Sequence, residues 1–269
     1  VKTGFSVFIA VFVAMCFSWS GFVLGPVRQL GTEGQTNILN SSDIYPNQRP
    51  GAATLGLQVY RAYGCAQCHT TQVGQDGVIC NVVLTAAGTK SAAVSNLIST
   101  LKLTGLTKDE ADAVSGQITA AGGKTETHIV ATGADISRGW GPRHSVAEDF
   151  LWDNPAQLGS VRVGPDLANI GARYNADWEF MHLYNPGSEV KNSIMPPFRF
   201  LFKKEKIDGT LSSDALPLQG ELAPPAGYEV VPTDDAKNLV AYLLSLRMDV
   251  PLYDAPFSTL APPAAAKKK

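Results

Sequence analysis

Cys65-Ala66-Gln67-Cys68-His69 is the stretch that decides how this 269-residue chain reads. Two thiols three positions apart, with a histidine directly after them, have the spacing of a covalent c-type haem attachment site. Each thiol can add to one vinyl group, and the adjacent imidazole is then placed under the iron as its proximal ligand. A thioredoxin-like dithiol has no need of the histidine and is expected near a βαβ pattern. A zinc site calls for a second close Cys/His pair, which the sequence lacks. One motif implies one covalently bound haem c on Cys65, Cys68 and His69. The remaining cysteines, Cys16 and Cys80, read as unpaired small apolar side chains.

Apolar residues make up 45% of the chain and the formal net charge is −2, so nothing points to a nucleic-acid partner. The 25 glycines and 17 prolines predict a loop-rich fold. A haem domain tolerates this because the porphyrin supplies much of the core.

Thr3 to Gly25 carries no charged residue. At about 1.5 Å per residue, some ~20 such residues cross a hydrocarbon core of about 30 Å. Residues 1–27 are therefore predicted to be a transmembrane anchor. A secretory signal peptide is the alternative, but its apolar region spans only about 7–15 residues, and no A-x-A-like cleavage site follows in Gly25-Pro26-Val27-Arg28. Thioether attachment in bacteria takes place outside the cytoplasmic membrane. The expectation is thus a single-pass inner-membrane protein with its haem domain in the periplasm. Residues 28–51, rich in Asn, Gln, Ser, Thr and Pro, read as an extended linker that lifts the haem domain off the membrane or lies along a partner.

The remainder is predicted to be mainly α, with an interruption. A helix over Ala52–Tyr63 leads into the motif, and Thr233-Asp234-Asp235 caps a helix to about Arg247 with a broad apolar stripe. Between them, Val78–Leu84 reads as a strand and Ala92–Leu103 as a helix. Thr107 caps a second helix to about Ala121, and Lys124–Thr132 alternates like a strand. The order βααβ predicts a small inserted α+β subdomain over residues 76–136, flanked by a haem domain of 52–75 and 137–250. It carries no Cys/His pair of ligand spacing, so it is expected to be a satellite outside the electron path. Residues 251–269 read as a flexible tail ending in three lysines. The sixth iron ligand has six candidates: Met181, Met195, Met248, His128, His144 and His182. Met195 is set apart by Pro196 and Pro197, which hold the chain extended just after the sulfur.

Gly56 and Tyr60, together with the string Leu239-Val240-Ala241-Tyr242-Leu243, flank the haem motif and resemble the first and last helices of class I cytochromes c. Val163-Gly164-Pro165-Asp166-Leu167 is similar to the Gly-Pro-x-Leu segment of that class. The resemblance implies that the Pro165 carbonyl accepts a hydrogen bond from Nδ1–H of the iron-bound histidine. Asn192-Ser193-Ile194-Met195-Pro196 resembles the Met-Pro loop of the class, which implies Met195 as the sixth ligand.

Four strings in order narrow the resemblance. They are Tyr60–Cys65 through Thr70-Thr71-Gln72-Val73; Gly159–Leu167; Tyr174-Asn175-Ala176-Asp177-Trp178 with His182-Leu183-Tyr184-Asn185-Pro186; and Ser193-Ile194-Met195-Pro196. With the anchor they resemble the mono-haem, membrane-anchored subunit II of cbb3-type cytochrome c oxidases. That resemblance implies an electron-transfer subunit, not an enzyme by itself. It would take electrons from another c-type cytochrome subunit or a soluble donor and pass them to a haem-copper catalytic membrane subunit that reduces oxygen. The cytochrome c subunit of a nitric oxide reductase and a stand-alone membrane-tethered carrier are the alternatives.

Overall fold

The computed structural model describes residues 2–31, 33–88 and 91–258. The uncharged N-terminal run forms helix α1 (Lys2–Trp19), which continues through a π-helical turn, Ser20–Leu24, into α2 (Gly25–Leu30). Thr3–Arg28 is long and apolar enough to cross a membrane, and its apolar side chains face outward, Phe22 being 83% exposed. Such a surface is unfavourable in water and favourable in lipid.

Strands β1 (Thr36–Asn37) and β2 (Ile44–Tyr45) follow as a short antiparallel pair. The segment predicted to be an extended linker, lifting the haem domain off the membrane or lying along a partner, is tied to the rest of this chain. The Leu39 amide donates to the Pro251 carbonyl at 2.9 Å, and Trp152 Nε1 donates to the Pro46 carbonyl at 3.1 Å. The Tyr45 hydroxyl donates to Asp149 at 2.7 Å, and Arg49 pairs with Asp153. The physical reason is the buried Arg143–Asp149 pair, both of whose side chains are fully covered. A buried carboxylate must have its lone pairs filled, and Tyr45 fills one.

Helix α3 (Gly51–Ala62) then leads to the haem-type motif. After it comes the insertion: β3 (Gly77–Ala86), α4 (Ser91–Thr100), α5 (Lys108–Ala120) and β4 (Lys124–Thr132). The strands pair antiparallel from Gly77↔Thr132 to Leu84↔Thr125, with an irregularity before Ala86↔Lys124. A reciprocal cap starts α5: Glu110 N–H donates to the Thr107 hydroxyl, and Thr107 N–H donates to the Glu110 carboxylate at 2.8 Å. Cys80, Val82, Val94, Leu106, Ala111, Val114 and Ile118 form a core belonging to this lobe alone. Cys80 sits there as a small apolar side chain. Its ends meet, since the Asp76 amide donates to the Thr132 carbonyl at 2.8 Å.

The boundary at 136 needs correction. Asp135 and Ile136, on helix α6 (Ala134–Ser137), were expected inside the insertion. Ile136 packs instead against the cluster of Val73, Ala168 and Met248, and the Asp135 carboxylate accepts the Gly74 amide at 2.8 Å. Both therefore belong with the segments that flank the lobe.

Helices α7 (Ile170–Arg173), α8 (Ala176–Tyr184) and α9 (Pro186–Glu189) come next. Strands β5 (Phe202–Lys206) and β6 (Tyr228–Pro232) pair antiparallel and deliver the chain to α10 (Asp234–Ser245). The Thr233 side chain caps α10 by accepting the Ala236 amide. The larger core lies between α3 and α10, with Leu57, Tyr60, Leu183, Leu201, Leu239, Tyr242, Leu243 and Leu246 all buried. Leu252 and Ala255 are 2% and 0% exposed, so the predicted flexible tail is packed up to residue 258. Residues 259–269, including the three lysines, lie outside the described residues. The described chain is mostly helical, with three two-stranded sheets.

Gly56 permits the α3–α10 crossing. A Cβ there would run into the Asn238 backbone carbonyl and approach Tyr242 Cβ to 2.7 Å. With the backbones this close, the Tyr60 and Tyr242 rings pack at 5.2 Å in a tilted pair. Gly56→Ala should gain about 1 kcal/mol of helix propensity but lose about 1–3 kcal/mol or more to overpacking. A net fall in unfolding temperature is expected; an unchanged or higher one would mean the helices are not held at this spacing.

Candidate cofactor-binding site

Helix α3 stops because Tyr63 leaves helical geometry and Gly64 takes a left-handed φ of 68°. Glycine adopts that conformation without steric cost. A 3₁₀ turn, Cys65–Gln67, follows at once. The amides of Cys68 and His69 both donate to the Cys65 carbonyl, at 3.1 and 3.0 Å. That shared acceptor winds the motif into one turn, and Cys65, Cys68 and His69 all line the same cavity.

The loop around Pro165 lies against the imidazole. His69 Nδ1 is 2.8 Å from the Pro165 carbonyl oxygen, which makes Nδ1–H the donor. Gly164 packs on the ring so tightly that a Cβ would come within 2.7 Å of Nδ1. Its amide donates to the Cys68 carbonyl at 2.9 Å. Any side chain at 164 would push the imidazole out of place.

Met195 lines the cavity too, and its amide donates to Ser193 Oγ at 3.3 Å. Of the other candidates for a sixth ligand, only His182 joins it there. Met248 is 3% exposed in the separate cluster with Val73 and Ala168. His144 Nδ1 lies 3.1 Å from Gln75, and His128 Nδ1 lies 3.3 Å from Ser258. Met181 is half-buried on α8, away from the cavity lining.

The cavity has a volume of about 480 Å³ and mostly apolar walls, among them Leu167, Ile170, Leu183, Leu239 and Leu243. Polar groups interrupt that lining, Glu179 and His182 among them. Glu179 and His182 stand three apart on α8 and so share a face. Glu179 is 3% exposed, and its Oε1 has no hydrogen-bond partner; His182 Nδ1 has none either. Burial pushes the Glu179 carboxyl up to about 7, with Arg173 offsetting only part. Burial, then the nearby His69, push His182 down to about 4, so it is neutral near pH 7. Its ring stacks on Trp178, 4.6 Å away. Burial also pushes the Cys65 thiol up to about 11. A disulfide-exchanging thiol works as its thiolate, so this environment does not suit that chemistry.

Among the described residues, no group of three or more His, Cys, Asp or Glu side chains could hold a metal ion. Two thiols, an imidazole and a thioether around one apolar cavity fit a haem, whose vinyl groups the thiols could bond and whose iron the imidazole and thioether could ligate. The orphaned Glu179 and His182 atoms suit a ligand that brings polar substituents of its own. The sequence drew no attention to Glu179. Its spacing from His182 on a helix bearing Trp178 was the available signal.

The Glu179 carboxyl gives a pH test. Its folded value, about 7, lies above the ordinary 4.5. The stabilising contribution is therefore complete below the ordinary value and is lost as pH rises through the folded one. The native chain should lose about 3 kcal/mol of stability across that window, and Glu179→Gln should abolish the loss. Unfolding temperatures measured across the window test this; identical profiles would show that Glu179 is ionised throughout.

Residues 130–248 match the family model described as cytochrome c oxidase, mono-heme subunit/FixO. That stretch contains the Pro165 loop, α8 and Met195 but not the Cys65–His69 motif, which lies N-terminal to it. No curated protein matches the chain. The family match supports the resemblance to the mono-haem subunit II of cbb3-type cytochrome c oxidases that the ordered strings carry.

Proposed function

We propose that this chain is a membrane-anchored, mono-haem c-type cytochrome. In this reading it passes electrons from a donor cytochrome c to the haem-copper catalytic subunit of a cbb3-type oxidase, where oxygen is reduced. The carrying observation is that Cys65, Cys68, His69 and Met195 line one apolar cavity, with the Pro165 carbonyl 2.8 Å from His69 Nδ1. The family description, which names a mono-heme oxidase subunit, agrees with it. The crossing of α3 and α10 beside the cavity supports a class I cytochrome c domain formed from both sides of the insertion.

A bound haem supplies reversible one-electron chemistry. The chain's residues do the rest. Cys65 and Cys68 would attach the group through thioether bonds to its two vinyl groups. His69 and Met195 would hold its iron, and a thioether ligand would raise the reduction potential relative to two histidines. The Pro165 carbonyl keeps the His69 proton on Nδ1, so that Nε2 is the free ligand nitrogen, and it makes that nitrogen more basic. The apolar wall excludes water, which further tunes the potential. Val163 and Ile194 line the cavity yet are 54% and 78% exposed, giving an apolar edge where a redox partner can approach without stripping water from charges. The N-terminal helix keeps the domain at the membrane, in the reading at the periplasmic face of the bacterial inner membrane. By itself the chain is an electron carrier.

Replacing Cys65 or Cys68 with Ser should weaken haem retention through denaturing electrophoresis, and replacing both should abolish it. Met195→His should keep a low-spin haem at a lower potential. An unchanged potential would give the sixth position to another residue, His182 first.

The chain extracted in mild detergent should co-purify with a large polytopic subunit, and metal analysis of that complex should find copper. A copper-free complex would point to a nitric oxide reductase, and a chain that purifies alone to a stand-alone carrier.

A further inference from the structure

The hydrogen bond from His69 to Pro165 is only as firm as the loop that carries the proline. Pro165 lines the cavity, and having no N–H it cannot itself anchor the loop. Polar side chains on either side of it do. Asp166 is 0% exposed. Its carboxylate accepts the Thr70 hydroxyl at 2.5 Å and the Gln72 amide at 2.8 Å, one oxygen receiving both. Arg162 Nε donates to the same Thr70 hydroxyl at 2.9 Å, and Arg162 Nη2 donates to the Gln72 carbonyl. Thr70 and Gln72 come directly after the Cys65–His69 motif. Two side chains that flank Pro165 thus grip the segment that leaves His69.

Arg162 is gripped in turn by Asp135. The carboxylate meets the guanidinium on both oxygens, at 3.1 and 2.9 Å, and also accepts the Gly74 amide at 2.8 Å. Asp135 is 5% exposed and sits three residues past β4, the last strand of the inserted lobe. A two-point pair between planar groups fixes direction as well as distance. Arg162, whose side chain is 36% exposed, would otherwise be free to swing into solvent.

We propose that Arg162, clamped by Asp135, is a positioning residue that holds the Pro165 carbonyl against His69 and so makes the exit of the inserted lobe part of the haem site. The inference rests on the haem reading above and goes beyond it, because neither residue touches the cofactor ligands. It predicts that loosening the clamp weakens the Nδ1–H···O=C bond. The imidazole then becomes less basic, the ferric state is less favoured, and the potential rises.

Arg162→Gln separates this from simple charge. Removing a cation near the iron favours the ferric state, so the Coulomb effect alone lowers the potential. Positioning raises it. The full-length chain would be purified as Arg162→Gln, Arg162→Lys and Asp135→Asn, and midpoint potentials measured by redox titration. Solvent exchange of the His69 Nδ1 proton would be followed by proton NMR in the reduced state. A raised potential in Arg162→Gln, with exchange about fivefold faster, is expected, that factor being what one ordinary hydrogen bond contributes. Arg162→Lys, which keeps the charge but not the fork, should shift the same way. A lowered or unchanged potential in Arg162→Gln overturns the proposal. Should that variant not accumulate, Asp135→Asn decides: faster Nδ1 exchange supports the clamp, and native exchange overturns it. A native chain without covalent haem would sink the haem reading itself, an outcome distinct from any of these.

Discussion

Helix α3 can lie across α10 only because position 56 has no side chain. An Asn238 carbonyl and Tyr242 Cβ occupy the space where a Cβ would stand. Much follows from that contact. The crossing buries Tyr60 and Tyr242 completely and sets the direction in which α3 ends. Gly64 then turns the chain, and the next five residues wind against the cavity wall. The position of Cys65, Cys68 and His69 is therefore fixed by packing some two turns upstream. In the proposed function this is what pre-arranges the attachment site.

Burial in this molecule is costly in an instructive way. The Arg143–Asp149 pair is fully covered, and its carboxylate accepts two guanidinium donors, the Tyr45 hydroxyl and the Val146 amide. Every lone pair is used, as a buried charge requires. That requirement helps to hold the segment after the anchor, beside the Leu39–Pro251, Trp152–Pro46 and Arg49–Asp153 contacts. Glu179 and His182 show the opposite case, with buried polar atoms that no protein group satisfies. A group of this kind in a native structure calls for an explanation, and here the explanation is the cavity it borders.

The inserted lobe shows how a domain can gain a satellite without losing its site. Its core shares no buried residue with the α3–α10 core. Its ends are joined by a strand pair, so closing the gap adds little entropy cost beyond that of a short loop. Asp135 marks where independence ends. One turn past the last strand, the chain is already bonded to Gly74 and Arg162.

The sequence by itself determined the local elements. A capping box at Thr107 and Glu110, a cap at Thr233 and an uncharged run from Thr3 to Gly25 each carry their own structural instruction over a few residues. The five-residue motif, the Gly164-Pro165 pair and Met195 were also legible, because their chemistry depends on residue type at fixed spacing. Tertiary structure decided the rest. Nothing near Tyr45 announces that Asp149 needs its hydroxyl. Nothing near Asp135 announces Arg162, because the partners are 27 residues apart and no local pattern links them. Leu252 and Ala255 sit in a Pro-rich stretch that reads as tail, yet they are buried. Polar and apolar partners far apart in the chain are chosen by what must be desolvated together, and that is known only once the backbone has brought them side by side.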